Sequence, residues 1–213
     1  MKQIHQITFI SFLSLLTVFP FAVTAQKKVP GKSLVFTAGR ATHFTGDIRG
    51  LGVQTEYTVS VKKNWFWTAG IGYNIHNDKG IPVIFDYNGR TYDETKNETN
   101  AGIQVTGHWG YKLLNQPADL LGVKIGGLLR YQSLSAATSV SILYPALTNL
   151  PYPVYVFDNS DPQVTFAAGV SGQLFYTHAL SSKLGLGILA GYQFDSNGDN
   201  ISQISLSITR FLK

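Results

Sequence analysis

The residues that would support catalysis in this chain are histidines, serines and aspartates near the ends of alternating segments. A serine hydrolase needs a nucleophile, a base and an orienting acid within hydrogen-bond reach of one another. The residues expected at similar height near one rim are His43, His76, Asp47, Asp78, Asp195, Ser133 and Ser135. No spacing fixes a contact among them, and histidines at a rim are more often simply hydrated. The sequence therefore predicts no catalytic residue, and an enzyme is the minority hypothesis.

Three charged residues, Glu56, Lys124 and Arg130, lie on the polar side of segments that otherwise alternate between polar and apolar residues. If that side faces the interior of the fold, burial of these charges is tolerated when opposite charges pair. We therefore predict a polar network in the interior. A binding or gating site built from the same residues is the sharper alternative.

No metal or cofactor is expected. The chain has no cysteine, no His-x-x-x-His pair and no cluster of carboxylates. Residues 78–80 and 195–199 resemble fragments of calcium loops, but neither has the full ligand series with a closing glutamate, so both are predicted to be turns. The formal net charge of +5 is scattered along the chain, which argues against nucleic-acid binding.

The first residues predict export. Lys2 supplies a positive start, residues 7–21 are uncharged and mostly apolar, and Val23-Thr24-Ala25 is a variant of the small-x-small cleavage pattern. The alternative, a membrane anchor, is disfavoured because the apolar run is shorter than the ~20 residues that a spanning helix needs. We predict a signal peptide at residues 1–25, cleaved after Ala25, and a single mature domain at residues 26–213.

From Leu34 onward, apolar residues recur at every second position and turn residues interrupt the pattern. Residues 51–61 show it clearly, with apolar side chains mostly at the odd positions. Seven such segments, together with a less regular first segment from Leu34 to Phe44, predict eight strands. Arg40 falls in phase with the apolar residues of that first segment, which predicts a bulge or a shifted register there.

Three features, beyond alternation itself, favour a membrane barrel over a soluble one. The polar side is mostly Gly, Ser, Thr, Asn and Gln, which suits a narrow interior. Three short connections, at residues 63–64, 115–119 and 181–183, fall on one side, and the two long ones fall on the other, as in outer-membrane barrels. Aromatic residues on the apolar side also form two groups, as interfacial girdles do. One end has Trp65, Trp67, Trp109, Tyr111 and Tyr176; the other has Tyr73, Tyr131, Tyr192 and Phe194.

The two long connections are predicted to be external loops near residues 75–99 and 136–162. The first contains Asn88-Gly89, a hairpin signal. The second is apolar for a loop, and its prolines argue against two further spanning strands, although ten strands stay open as an alternative. We predict that the second loop carries recognition, because exposed apolar patches mark binding surfaces. The alternative is that it folds back and plugs the barrel mouth.

The signal peptide, the eight alternating segments and the closing segment from Ile201 to Lys213 together resemble the small OmpA/OmpX-type outer-membrane β-barrel proteins of Gram-negative bacteria. The resemblance implies an all-β fold, a closed antiparallel transmembrane β-barrel placed in the outer membrane by the barrel-insertion machinery. Such chains usually end in an aromatic residue. Here Phe211 is close to the end but is followed by two residues and is out of phase with Ile204, Leu206 and Ile208.

The resemblance does not choose a function, since this family includes structural barrels, adhesins and a few lipid-modifying enzymes. An eight-stranded barrel is filled by its own side chains, so no open pore is expected. Our main hypothesis is a structural or surface-binding protein, whose partners are outer-membrane lipid and an extracellular or envelope partner of the loops. The alternatives are an outer-leaflet acyl hydrolase or acyltransferase and, third, a conduit for small apolar molecules.

Overall fold

The computed structural model describes residues 31–43, 48–80, 82–135, 139–158 and 162–212, so the predicted signal peptide lies outside the described residues. No helix in this described part is long and apolar enough to cross a membrane. The described strands are β1 (Lys32–His43), β2 (Ile48–Ser60), β3 (Trp65–Lys79), β4 (Ile84–Tyr87), β5 (Arg90–Asp93), β6 (Asn97–Asn115), β7 (Asp119–Ser135), β8 (Ser139–Leu143), β9 (Val154–Asp158), β10 (Gln163–Ala179), β11 (Leu184–Asp195) and β12 (Asn200–Leu212), and a helical turn α1 (Pro145–Thr148) lies between β8 and β9.

Eight of these strands form one closed antiparallel barrel in the order β1-β12-β11-β10-β7-β6-β3-β2. Strand β1 pairs with both β2 and β12, so the described part of the barrel has no open strand edge. Strands β4 and β5 form a separate hairpin, and so do β8 and β9. The prediction of an eight-stranded barrel is confirmed, and the ten-stranded alternative is wrong because the extra strands pair only with each other.

The barrel is apolar outside and polar inside. Ile125 and Leu206 on the outer face are each 69% exposed, whereas Gln104 and Gln193 on the inner face are each 2% exposed. This inversion of the soluble pattern follows from the period-two alternation of each strand, with the apolar set turned outward. Since water does not favour such an exterior, the surface is one that hydrocarbon surrounds.

The irregularity predicted near Arg40 is absent. Every residue of β1 has a regular partner in β2 and in β12, and Arg40 faces outward in phase with Leu34 and Phe36. The register therefore stays regular at this residue, and the charge needs another explanation than a bulge. A shift of register does occur in β6, between Lys112 and Leu114.

The connections β2–β3, β6–β7 and β10–β11 are all short and lie at one end of the barrel, together with the first residue of β1 and the last residue of β12. Because the long connections lie at the opposite end, this end is periplasmic by the usual asymmetry. At the opposite end, β3 extends to Lys79 and β6 begins at Asn97, so the first long connection is shorter than predicted. It contains the β4–β5 hairpin, whose turn residues Asn88 and Gly89 both have positive φ. Such a turn matches the twist of the paired strands.

Candidate functional site

A cluster of polar side chains fills the middle of the lumen. We call it the central cluster, and it comprises Glu56 of β2, Thr68 of β3, His108 of β6, Lys124 of β7 and Ser171 of β10. Each of these residues lies at an inward position of its strand, and each is almost completely buried. The barrel thus brings together residues that are far apart in the sequence.

The carboxylate of Glu56 is the centre of this cluster. Its Oε2 forms an ion pair with the Nζ of Lys124. Its Oε1 accepts a hydrogen bond from Gln54 Nε2 at 3.1 Å and one from Thr68 Oγ1 at 3.4 Å, and it lies 3.4 Å from His108 Nδ1. A buried charge is tolerated when it is paired and hydrogen-bonded in this way.

Ser171, His108 and Glu56 have the order of contacts of a nucleophile, a base and an orienting acid. His108 Nε2 lies 2.7 Å from Ser171 Oγ, while Nδ1 faces Glu56. The sequence analysis did not single out His108 and Ser171. Both lie on the polar side of regular alternating segments, and this position could have identified them as inward-facing. Lys124 also pairs with this carboxylate, so the three residues are part of a larger buried polar network in the lumen.

Arg130 does not join Glu56 and Lys124. Its guanidinium donates to Asp195 Oδ2 at 2.8 Å, to Gln193 Oε1 at 2.7 Å and to Gln104 Oε1 at 3.3 Å. The three charged residues predicted to line the interior are therefore all buried there, but they belong to two separate clusters. We call the second one, around Arg130, the mouth cluster because it lies nearer the external end.

The mouth cluster also contains His43 and His76, which lie near the external end as the sequence predicts, but their expected hydration is wrong because both are buried. His43 and His76 are 3% and 1% exposed, and their rings meet edge to face at 5.5 Å. His43 Nε2 lies 3.3 Å from Asp199 Oδ1 and 3.3 Å from Asn100 Nδ2. The inward alternation continues past the membrane zone, so these rings turn into the lumen.

No serine hydrolase site is assembled among the described rim residues. Ser133 and Ser135 lie at outward positions of β7, on the opposite side of the wall from the inward-facing histidines. Asp78 is exposed, Asp195 is held by Arg130, and Asp47 lies outside the described residues. In the part of the chain that the structure describes, no group of three or more metal-ligating side chains is arranged around a common point.

The periplasmic end of the lumen is filled by apolar side chains from four strands. Phe66 and Phe175 meet edge to face with ring centroids 5.6 Å apart, and Leu189 and Phe211 are buried beside them. Phe211 is out of phase with the outward residues of β12 because it points inward. A cavity of about 50 Å³ lies between these side chains and the central cluster, and it is too small for more than a few water molecules.

Glycines in the wall make room for this aromatic closure. A Cβ added to Gly110 would lie 2.1 Å from Phe66 Cζ, so the ring occupies the space that a side chain at this position would need. Overfilling a packed interior forces neighbouring side chains out of their preferred rotamers. The glycine is thus matched to the phenyl ring.

We expect Gly110→Val to destabilise the barrel by about 1–3 kcal/mol, because the new side chain displaces the Phe66 ring. Phe66→Ala on its own removes packing and is also expected to be destabilising. The double variant should be more stable than the sum of the two single losses predicts, because the valine at position 110 fills the space that the Phe66 ring leaves empty. Urea unfolding in lipid vesicles measures all four proteins, and strictly additive losses would contradict the match.

The two external hairpins contact each other through aromatic rings. Phe85 of β4 stacks on Tyr155 of β9 with centroids 5.2 Å apart, and Tyr87 meets Tyr152 edge to face at 5.8 Å. A further contact places Lys96 Nζ 4.2 Å from the centroid of the Phe157 ring. Aromatic pairs of this geometry add to the stability that burial gives. The hairpins therefore form one unit, which we call the hairpin unit.

An ion pair ties the hairpin unit to the barrel wall. Lys79 Nζ, at the end of β3, lies 2.8 Å from Asp93 Oδ2 in β5. The hydrogen bonds that Lys79 and Thr95 donate hold the pKa of Asp93 below its ordinary value. Since both partners are solvent-exposed, this contact orients the hairpin and contributes little to global stability.

The second hairpin and its connecting turn present an apolar surface to solvent. Residues 139–157 carry no charge, and Tyr144 and Leu147 are 61% and 75% exposed. No residue described between 139 and 158 is buried. This exposure argues against the alternative in which the loop plugs the barrel mouth.

Comparison with known proteins finds similarity in structure but not in sequence. No family model matches the chain, and no curated protein matches it in sequence. Among solved structures, Neisserial surface protein A (NspA) is similar with a TM-score of 0.54 and 9% identity, over 87% of this chain and 100% of that one. Ail, the attachment invasion locus protein of Yersinia pestis, has a TM-score of 0.50 and 7% identity, over 86% and 99% of the two chains.

The chain has the fold of the small outer-membrane β-barrels. At such low identity the likeness shows the fold alone, and the location follows from the exterior. The outward apolar band lies between one aromatic group that includes Trp65 and Tyr111, whose rings are 4.9 Å apart, and another that includes Tyr131 and Phe166, also 4.9 Å apart. A closed barrel with such a band is an integral protein of the outer membrane.

Proposed function

We propose that this protein is a surface-binding barrel, and that its hairpin unit holds the binding surface. The observation that carries the proposal is the uncharged, exposed surface of residues 139–157, with Tyr144 and Leu147 at its most exposed part. Exposed apolar patches on a folded protein mark sites of contact with other molecules. The barrel itself would serve as the anchor that presents this surface outside the cell.

The stacking between hairpins supports this proposal because it holds the surface in place before a partner arrives. Phe85 packs against both Tyr92 and Tyr155, so the two hairpins share one aromatic core. The prolines Pro151 and Pro153 further restrict the chain between α1 and β9. A surface that is ordered in advance loses less conformational entropy on binding. The expected partner is an extracellular molecule with an apolar or aromatic surface of its own.

The two alternative functions lack a supporting observation. For an enzyme, the contacts among Ser171, His108 and Glu56 lie inside the lumen. Of these three residues only Glu56 borders the neighbouring cavity. A conduit for apolar molecules would need a gap in the wall. Each of the eight barrel strands is instead paired with both of its neighbours.

We expect the double substitution Tyr144→Ser and Leu147→Ser to reduce attachment at least about tenfold, since anchors of this kind dominate binding energy. Barrel stability should be unchanged, because both side chains are exposed. Attachment is measured with cells that carry the protein, on eukaryotic cell monolayers and on surfaces coated with matrix glycoproteins.

The matched control for this experiment is Arg90→Gln with Glu94→Gln, which changes two exposed residues of the hairpin unit and keeps its net charge. This control should attach as well as the original protein. Equal attachment by the Tyr144 and Leu147 variant would contradict the proposed function.

A further inference from the structure

Two arginines project from the outer wall of the barrel at its external end. Arg40 of β1 and Arg49 of β2 are both exposed and both occupy outward positions, where the neighbouring side chains face lipid. The ion pairs formed within the described residues include neither guanidinium. An outward arginine without a carboxylate partner is unusual on such a surface, because charge is costly beside hydrocarbon.

The register of the two strands places these arginines side by side. Arg40 pairs with Leu51, and Arg49 pairs with Thr42, so the two guanidinium groups belong to diagonal neighbours on one face. The Cβ atoms of diagonal neighbours are about 7–8 Å apart or somewhat closer, within reach of long side chains. Two like charges in this position repel unless an anion lies between them.

Their depth in the wall matches the boundary of the hydrocarbon. Ala38, Val53 and Tyr73 form one row across β1, β2 and β3, and Tyr73 belongs to the external aromatic group. Arg40 lies one outward position beyond that row. Its long side chain can therefore reach the headgroup layer while its stem covers apolar surface.

The surface directly below the arginines is apolar. Ile204 of β12 and Leu51 of β2 are exposed and flank Arg40 in the two neighbouring strands. Leu206, one outward position nearer the periplasmic end of β12, is exposed below them. A molecule held here would meet cations at its upper part and apolar side chains at its lower part. A phosphorylated lipid has an anionic and an apolar part in this order, whereas free phosphate would make no contact with the apolar side chains.

We propose that Arg40 and Arg49 bind the phosphate group of a phosphorylated lipid in the outer leaflet. Each guanidinium presents a planar fork of N–H donors, which suits bidentate contact with phosphate oxygens. The anion removes the repulsion between the two arginines, and the acyl chains of the lipid lie on Ile204 and Leu206. This site is on the barrel wall and is independent of the hairpin unit.

The test is a titration of the refolded, detergent-solubilised protein by native mass spectrometry. The probes are bisphosphorylated lipid A, the same lipid without its phosphates, and inorganic phosphate. Arg40→Gln with Arg49→Gln is expected to weaken binding of lipid A at least about tenfold and to leave the dephosphorylated lipid unaffected, since only charge-assisted hydrogen bonds are lost. Arg40→Lys with Arg49→Lys should retain part of the affinity.

The matched control is Arg210→Gln with Lys62→Gln, which removes two exposed positive charges from the periplasmic end. It should bind lipid A as the original protein does, and a heat-dependent shift in electrophoretic mobility verifies that every variant is folded. Equal loss in the control would overturn the site, because the effect would then follow from net charge. Equal binding of both lipids, or displacement of lipid A by inorganic phosphate at equal concentration, would overturn the assignment to a lipid phosphate.

Discussion

Lys124→Ala is expected to destabilise the barrel by about 3–5 kcal/mol, the range observed when one partner of a buried ion pair is removed. The reason is the position of Glu56, which is 1% exposed and forms its ion pair with Lys124. Without the ammonium group, the carboxylate must stay charged in a poorly solvated lumen or take up a proton. The free energy of unfolding, measured by urea titration in lipid vesicles, reports the loss.

The control for this prediction is a double variant, Glu56→Gln with Lys124→Met, which removes both charges and keeps much of the side-chain volume. We expect it to recover most of the lost stability, because replacing a buried ion pair as a unit is often close to neutral. If Lys124→Ala and the double variant were equally destabilised, the unpaired charge of Glu56 would not be the cause of the loss. If neither were destabilised, the central cluster would contribute nothing to the fold.

Val105→Arg and Ile188→Arg are each expected to destabilise the protein by about 2–4 kcal/mol if they lie near the bilayer midplane. Both side chains face outward and are 52% and 55% exposed, and both lie on the apolar face between the two aromatic groups. A guanidinium at these positions would be placed in hydrocarbon, far from the headgroup layer. Urea unfolding in vesicles measures the effect, which should decrease when the same substitution is made nearer either end of the barrel.

Two controls separate this lipid-facing effect from others. Gln104→Arg, next to Val105 but inside the lumen, should act through crowding with Arg130, whose Nε lies 3.3 Å from the Gln104 oxygen. Leu147→Arg, on the exposed turn, should have almost no effect on unfolding. Equal tolerance of arginine at Val105, Ile188 and Leu147 would show that the assignment of inside and outside is wrong.

The fold was predictable because each strand carries its own signal. Alternation at residues 51–61, for example, identifies both the strand and the face that turns inward, and no other part of the chain is needed. The Asn88-Gly89 turn is equally local, since two adjacent residues determine the hairpin. Closure then follows because a membrane does not tolerate unpaired strand edges.

The contacts within the lumen were not predictable in the same way. Glu56 and Lys124 come from β2 and β7, which are not adjacent in the barrel, so their contact depends on the stagger of the strands and the length of each side chain. The same stagger separates Arg130 from them and brings it to Asp195. The sequence showed which residues face inward, but the three-dimensional arrangement was needed to show which of them meet.

The pairing of β1 with β12 has a consequence for the order of assembly. Lys32 pairs with Leu212, so the first and last residues of the described barrel strands meet in the final seam. This contact has the longest sequence separation in the fold, and such contacts form slowly because the chain entropy is lost before they form. The seam cannot close until β12 has reached β1, and until then the edge of β1 and the other open edge of the sheet can pair with other chains. These edges must therefore be shielded while the barrel folds, and a delay in the pairing of β12 would make the protein prone to aggregation.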